Sequence, residues 1–124
     1  MQIDIKARNV EVSDEMRRHA EHRLAKVARQ VSPLARVELE FSEERNPSIA
    51  EHAIVEGILH LKGATLRARG SSADMRRSLN IVADELERQV KRHGVKRRHR
   101  REQRRLAALE REQLREAPLP ALPG

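Results

Sequence analysis

Cysteine, tryptophan and tyrosine are absent from the 124 residues, and Phe41 is the only phenylalanine. Without cysteine there is no disulfide framework, no thiolate nucleophile and no cysteine-based metal site, which suits a reducing compartment. With Phe41 the only such ring, stacking of nucleic-acid bases is excluded as a binding mode, and whatever the chain binds is held by charge, shape and hydrogen bonds. No apolar run approaches the ~20 residues of a membrane span, and the opening MQIDIKARNV alternates charged and aliphatic residues where a signal peptide needs an apolar stretch. A soluble, cytoplasmic protein is expected. GxxxxGK[ST], GxGxxG, GxSxG and a Gly-Gly-Gln tripeptide are all missing. The paired acids Glu38/Glu40 and Glu43/Glu44 read as exposed strand and turn residues, so neither an enzyme nor a cofactor is expected.

What the chain has is positive charge in one place. Arg92 to Arg105 holds eight Lys/Arg against Glu102, whereas residues 1–91 carry 16 basic and 15 acidic side chains and residues 106–124 carry 2 and 3. The excess of +7 therefore belongs to one short segment. Clustered guanidinium groups gain affinity for a phosphate backbone by displacing condensed counterions, so a nearly neutral domain with a cationic arm points to nucleic acid.

Periodicity organises the first 92 residues. Gln2 to Arg8 alternates as a half-buried strand. Ser13 offers an N-cap ahead of Asp14 and Glu15, and Met16, Ala20, Leu24, Val27 and Val31 recur at helical spacing, predicting a helix over 14–31 that Pro33 stops. Alternation returns with Val37, Leu39 and Phe41, then through HAIVEGILHL at 52–61, a KGA turn and TLRAR, which ends at Gly70. Ser71 or Ser72 offers a cap, with Asp74 in a capping-box-like position, before Met75, Leu79, Val82, Leu86 and Val90. That predicts a second helix over 73–92, closed by Gly94. The order β-α-β-β-β-α gives an α+β fold: a four-stranded, mainly antiparallel sheet with two helices packed on one face. The division expected is a domain over 1–95 and a basic, flexible tail over 96–124, in which 106–117 can form a short helix.

On a helical wheel the apolar set of the first helix gathers within about 80°, with Arg18, His22, Lys26 and Arg29 opposite. On the second helix Arg77, Arg88, Lys91 and Arg92 lie opposite the apolar set, with Asp84 among them. Solvated lysines and arginines are ordinary on any helix, so each stripe alone says little. A dense block of like charge is harder to read as mere surface, and it is often an interaction arm. His19 and His22 sit three apart but have no third ligand at metal spacing, so no metal is expected. They read as surface or phosphate-contacting residues. His52 and His60 fall on the open face of the sheet.

The element order, the segment HAIVEGILHLKGATLRARGSSADM at 52–75 and SLNIVADELERQVKRHGVKRR at 78–98 resemble the ribosome hibernation-promoting factor family, also called ribosome-associated inhibitor or protein Y. The resemblance covers residues 1–98. It implies a non-enzymatic factor that binds the small ribosomal subunit in the messenger and transfer RNA channel, stops translation and protects idle ribosomes under stress or in stationary phase. It further implies ribosomal RNA contacts from Arg23, Lys26, Arg88, Lys91 and Arg92. The wheel supports four of these independently and places Arg23 near the apolar edge.

The expected RNA-binding set is Arg18, His22, Arg23, Lys26, Arg29, Arg77, Arg88, Lys91 and Arg92, joined by Lys96, Arg97, Arg98, Arg100 and Arg101 from the arm. Two departures from the family pattern stand out. Arg76 follows Asp-Met where members commonly have tyrosine, and only 19 residues follow Arg105, so a short, monomeric form without its own dimerisation domain is expected. The partners expected are the small subunit with its ribosomal RNA and the whole ribosome, with no membrane and no small-molecule substrate. A general double-stranded RNA or DNA binder, or a protein-docking module using the open sheet face or 106–117, are the rival readings.

Overall fold

A computed structural model describes residues 1–46 and 48–116, the side chains of residues 95–97 and 116 excepted. The elements are β1 (Gln2–Arg8), α1 (Asp14–Gln30), β2 (Arg36–Glu43), β3 (Ala53–Leu61), β4 (Ala64–Ser72) and α2 (Met75–Glu116). The chain divides into two units, Met1–Lys91 and Arg92–Gly124.

In the first unit the sheet order is β1-β2-β3-β4, with β1 parallel to β2 and the other pairs antiparallel. A parallel pair needs a crossover of a dozen residues or more, and α1 supplies it. Alternation in β2 and β3 sends Val37, Leu39, Phe41, Ala53, Val55 and Leu59 to one face, where they bury against Ala20, Leu24 and Val27 of α1 and Leu79, Val82, Leu86 and Val90 of α2. The α+β arrangement read from periodicity is the one observed.

Local signals place the helices. The Ser13 hydroxyl accepts from the Met16 amide at 3.1 Å, the N-cap expected. Asn9 takes a left-handed backbone, φ 53°, and its side-chain amide exchanges two hydrogen bonds with the Glu43 backbone, 2.9 and 3.0 Å, which prolongs the β1–β2 ladder by one side chain.

Two boundaries differ from expectation. β4 does not stop at Gly70 but runs to Ser72, because the first turn of α2 crosses directly over Gly70. A Cβ there would lie 2.2 Å from the Ser78 carbonyl oxygen. Ser71 and Ser72 therefore belong to the strand, and Asp74 does the capping: its carboxylate accepts from the Arg76 amide at 3.2 Å and its carbonyl from the Ser78 amide at 3.0 Å. The second difference is at Gly94. Helix α2 passes through it and continues to Glu116, since a glycine closes a helix by turning left-handed, and among the described glycines only Gly63 has positive φ. A helical Gly costs ~1 kcal/mol relative to Ala, and the following run of Arg, Gln, Glu, Leu and Ala consists of good helix formers. The expected end of a short helix at 117 lies outside the described residues.

Ser78 anchors α2 to the sheet. It is fully buried, and its hydroxyl donates to the Ala53 carbonyl at 2.7 Å and shares a 2.7 Å hydrogen bond with the Ser72 hydroxyl. Ser78→Ala is expected to cost ~1–3 kcal/mol by leaving buried polar groups short of a partner. The denaturation midpoint should fall with no change in m-value.

Candidate nucleic-acid interface

The two faces of the first unit differ in how their charges are paired. On the open side of the sheet, β2 and β3 carry Glu38, Glu40 and Glu56, and basic residues surround them. Arg36 lies 3.4 Å from Glu38 and 3.9 Å from Asp4, Arg69 lies 3.9 Å from Glu56, and Arg8 lies 4.0 Å from Glu40. His60 Nε2 lies 3.3 Å from the Glu38 carboxylate, as expected for a histidine on this face, while His52 sits one residue before β3, with Nδ1 3.2 Å from Glu43. Among the described residues Lys6 and Arg67 on the same face have no carboxylate within 4.0 Å, so this surface is largely but not wholly paired.

The His60 hydrogen bond, with Arg36 and Lys6 nearby, holds the Glu38 carboxyl below its ordinary value of 4.5. A depressed folded-state value contributes stability above the unfolded value, and that stability is lost as pH falls through the folded one. Glu38→Gln is therefore expected to flatten the acid limb of the stability curve below pH ~4.5. Midpoints measured at a series of pH values check this, and an unchanged limb would show the pair to be idle.

The helical side is organised differently. Arg18, His22, Lys26 and Arg29 of α1 and Arg77, Arg88 and Lys91 of α2 are all exposed or partly exposed, as the wheels predict. Among the described residues Arg18, Lys26, Arg29 and Arg77 have no carboxylate within 4.0 Å, whereas Arg88 lies 3.2 Å from Glu85 and Lys91 lies 3.1 Å from Glu87 on the same helix. Exposed pairs of this kind contribute ~0–1 kcal/mol, so they yield readily to a phosphate.

Arg23 is placed otherwise. Its side chain is 28% exposed, and its guanidinium donates to Asp84 of α2. His19, read from sequence as a surface or phosphate-contacting residue, is half-buried with Nε2 2.8 Å from the Asn80 side-chain oxygen. Arg76, at the position where the family commonly has tyrosine, lies 3.9 Å from Glu15. These seam residues were not legible in the sequence as partners. Their only local signal is a row of polar residues spaced by four along the flank of each apolar stripe.

In the second unit Arg92, Arg98, Arg100, Arg101, Arg104 and Arg105 are exposed on helix. The side chains of Lys96 and Arg97 lie outside the described residues. Among the described residues no group of three His, Cys, Asp or Glu could hold a metal, and no helix is long and apolar enough to cross a membrane.

Known proteins share this fold and sequence pattern. The family model of the sigma 54 modulation protein / S30EA ribosomal protein matches residues 3–98. The ribosome hibernation promoting factor of Azotobacter vinelandii is 26% identical over 96 residues, covering 77% of this chain and 85% of that protein. The ribosome hibernation promotion factor of Lactococcus lactis is 32% identical over 100 residues, and there the chain spans only 51% of the relative. Among solved structures, the N-terminal domain of Thermus thermophilus protein Y superposes with a TM-score of 0.65 at 28% identity, covering 75% of this chain and 99% of that domain. The resemblance in the strand-turn-strand and second helix is thus matched across the whole first unit: the chain belongs to the sigma 54 modulation protein / S30EA ribosomal protein family.

Proposed function

We propose that the chain is a non-enzymatic ribosome hibernation factor that binds the small subunit in the channel used by messenger and transfer RNA, and blocks it sterically. It would act in the cytoplasm, where idle ribosomes accumulate under stress. The observation that carries this is the charge arrangement of the folded unit: among the described residues the sheet face interleaves Asp4, Glu38, Glu40 and Glu56 with its cations and leaves Lys6 and Arg67 unpaired, while the helical face presents Arg18, Lys26, Arg29 and Arg77 with no carboxylate within 4.0 Å. A surface of cations without acidic partners is where phosphates bind with the greatest release of counterions.

The arm adds grip. Arg100 and Arg104, and Arg101 and Arg105, are like charges one helical turn apart, each pair destabilising the helix by ~0.2–0.5 kcal/mol. Phosphate between them removes that repulsion, so binding and helix stability support one another.

Sedimentation with ribosomes tests the proposal. The chain is expected to travel with small subunits or whole ribosomes at low salt and to leave as salt rises. It should stay bound when plain duplex RNA is added in excess. Failure to sediment would refute the ribosome reading, and transfer to the duplex would favour a general double-stranded binder.

A further inference from the structure

The seam between α1 and α2 carries an acid in the middle of the cationic side. Three polar rungs join the helices, each between residues 61 apart in the chain: Glu15 with Arg76, His19 with Asn80 and Arg23 with Asp84. The constant offset, repeated every four residues, means that within the first unit the helices run parallel and in step. Arg23 is held more firmly than its neighbours. Its guanidinium donates to Asp84 and, at 3.5 Å, to the Asn80 carbonyl, while its buried Nε has no partner. Asp84 is 60% exposed and shares the outward side of α2 with Arg77, Arg88 and Lys91. A half-exposed ion pair adds little stability, so folding alone gives a poor reason for a carboxylate there.

We infer that Asp84 is a specificity-determining residue: by engaging Arg23 it withholds a fixed cation from indiscriminate phosphate binding and sets a negative charge that a correct RNA surface must accommodate. The inference rests on the reading of the helical face as an RNA-binding surface. Specificity is a difference of affinities, and a repulsive element against the wrong partner raises it as effectively as a new attraction to the right one. A plain duplex presents phosphate charge about every 1.7 Å along its axis, so docking it on this side brings a phosphate near Asp84, well inside the ~8 Å screening length. A folded ribosomal RNA surface is irregular. It can leave that point open, or offer the carboxylate a 2′-hydroxyl or an exocyclic amine as donor.

The test uses the full chain with Asp84→Asn, with Asp84→Ser as a second variant, and measures affinity for small subunits and for a plain RNA duplex across a salt series. Duplex affinity is expected to rise about fivefold or more near 0.1 M salt, with a salt slope steeper by ~0.9 because one more phosphate is neutralised. Small-subunit affinity should change little, so the preference for subunits falls. Adding Arg23→Gln to either variant should reduce the rise in duplex affinity without abolishing it, because the freed guanidinium is lost while the repulsion by the carboxylate is still removed. The inference is overturned if the rise is absent, if it is undiminished in the Arg23→Gln background, or if subunit affinity rises equally. Wild-type chain that ignores small subunits would instead strike the ribosome reading itself, and the two failures are separated by including wild type in every series.

Discussion

Replacing Arg98, Arg100, Arg101, Arg104 and Arg105 together by glutamine is expected to lower ribosome affinity by on the order of a hundredfold near 0.1 M salt and to leave the fold of the first unit untouched. Each neutralised phosphate adds ~0.7 to the salt slope on single strands and ~0.9 on duplex, so releasing about three phosphates flattens the slope by roughly 2–3. The five side chains are exposed, and among the described residues every buried core residue lies between Ala20 and Val90, so the melting transition should not move. Glutamine propagates a helix nearly as well as arginine, which separates lost charge from lost helix. Affinity measured at several salt concentrations decides the matter, and an unchanged slope would show the arm to take no part.

A single methyl group at Gly70 is expected to do more damage to the fold than any surface charge. In Gly70→Ala the new Cβ meets the Ser78 carbonyl oxygen at 2.2 Å, its carbonyl carbon at 3.0 Å and Ile81 Cβ at 3.1 Å. Two of these are backbone atoms that no side-chain rotation can move aside, so α2 must lift from β4. Lifting it stretches the buried Ser78 hydrogen bonds to Ala53 and Ser72. Overpacking of this kind costs ~1–3 kcal/mol, and the strained polar contacts add ~1 kcal/mol or more. For a domain of this size ~3 kcal/mol lowers the melting temperature by more than about ten degrees. Gly57→Ala gives the contrast. Its Cβ meets only side-chain atoms, Val82 Cγ1 at 2.8 Å, Leu86 Cδ1 at 3.2 Å and Leu39 Cδ2 at 3.3 Å, which can shift by a few tenths of an ångström where backbone cannot, so a smaller loss is expected. Equal effects at the two glycines would contradict the close crossing at Gly70.

How far these features could be read from sequence depended on how local their causes are. Strand and helix identities follow from periods of two and 3.6 in the apolar residues, and the Ser13 cap follows from chemistry within four positions, so both were legible. The strand end at Gly70 was not, because the glycine answers to a helix whose crossing point depends on the whole packing arrangement. Gly94 misled for a related reason: a glycine stops a helix only when its backbone turns left-handed, and nothing adjacent requires that turn. The cations Arg18, Lys26, Arg29 and Arg77 fell where the wheel put them. Arg23, His19 and Asp84 became partners only once α1 and α2 lay parallel and in step, a relation 61 residues long that no single-helix pattern contains.

Occupation of the decoding channel is tested most directly by competition on the small subunit itself. Subunits are bound beforehand with messenger RNA and with transfer RNA in the A and P sites, and chain binding is compared with that to empty subunits at the same salt. Strong binding to empty subunits and exclusion from loaded ones is the expected result. Equal binding to both would place the chain elsewhere on the ribosome and contradict the steric block.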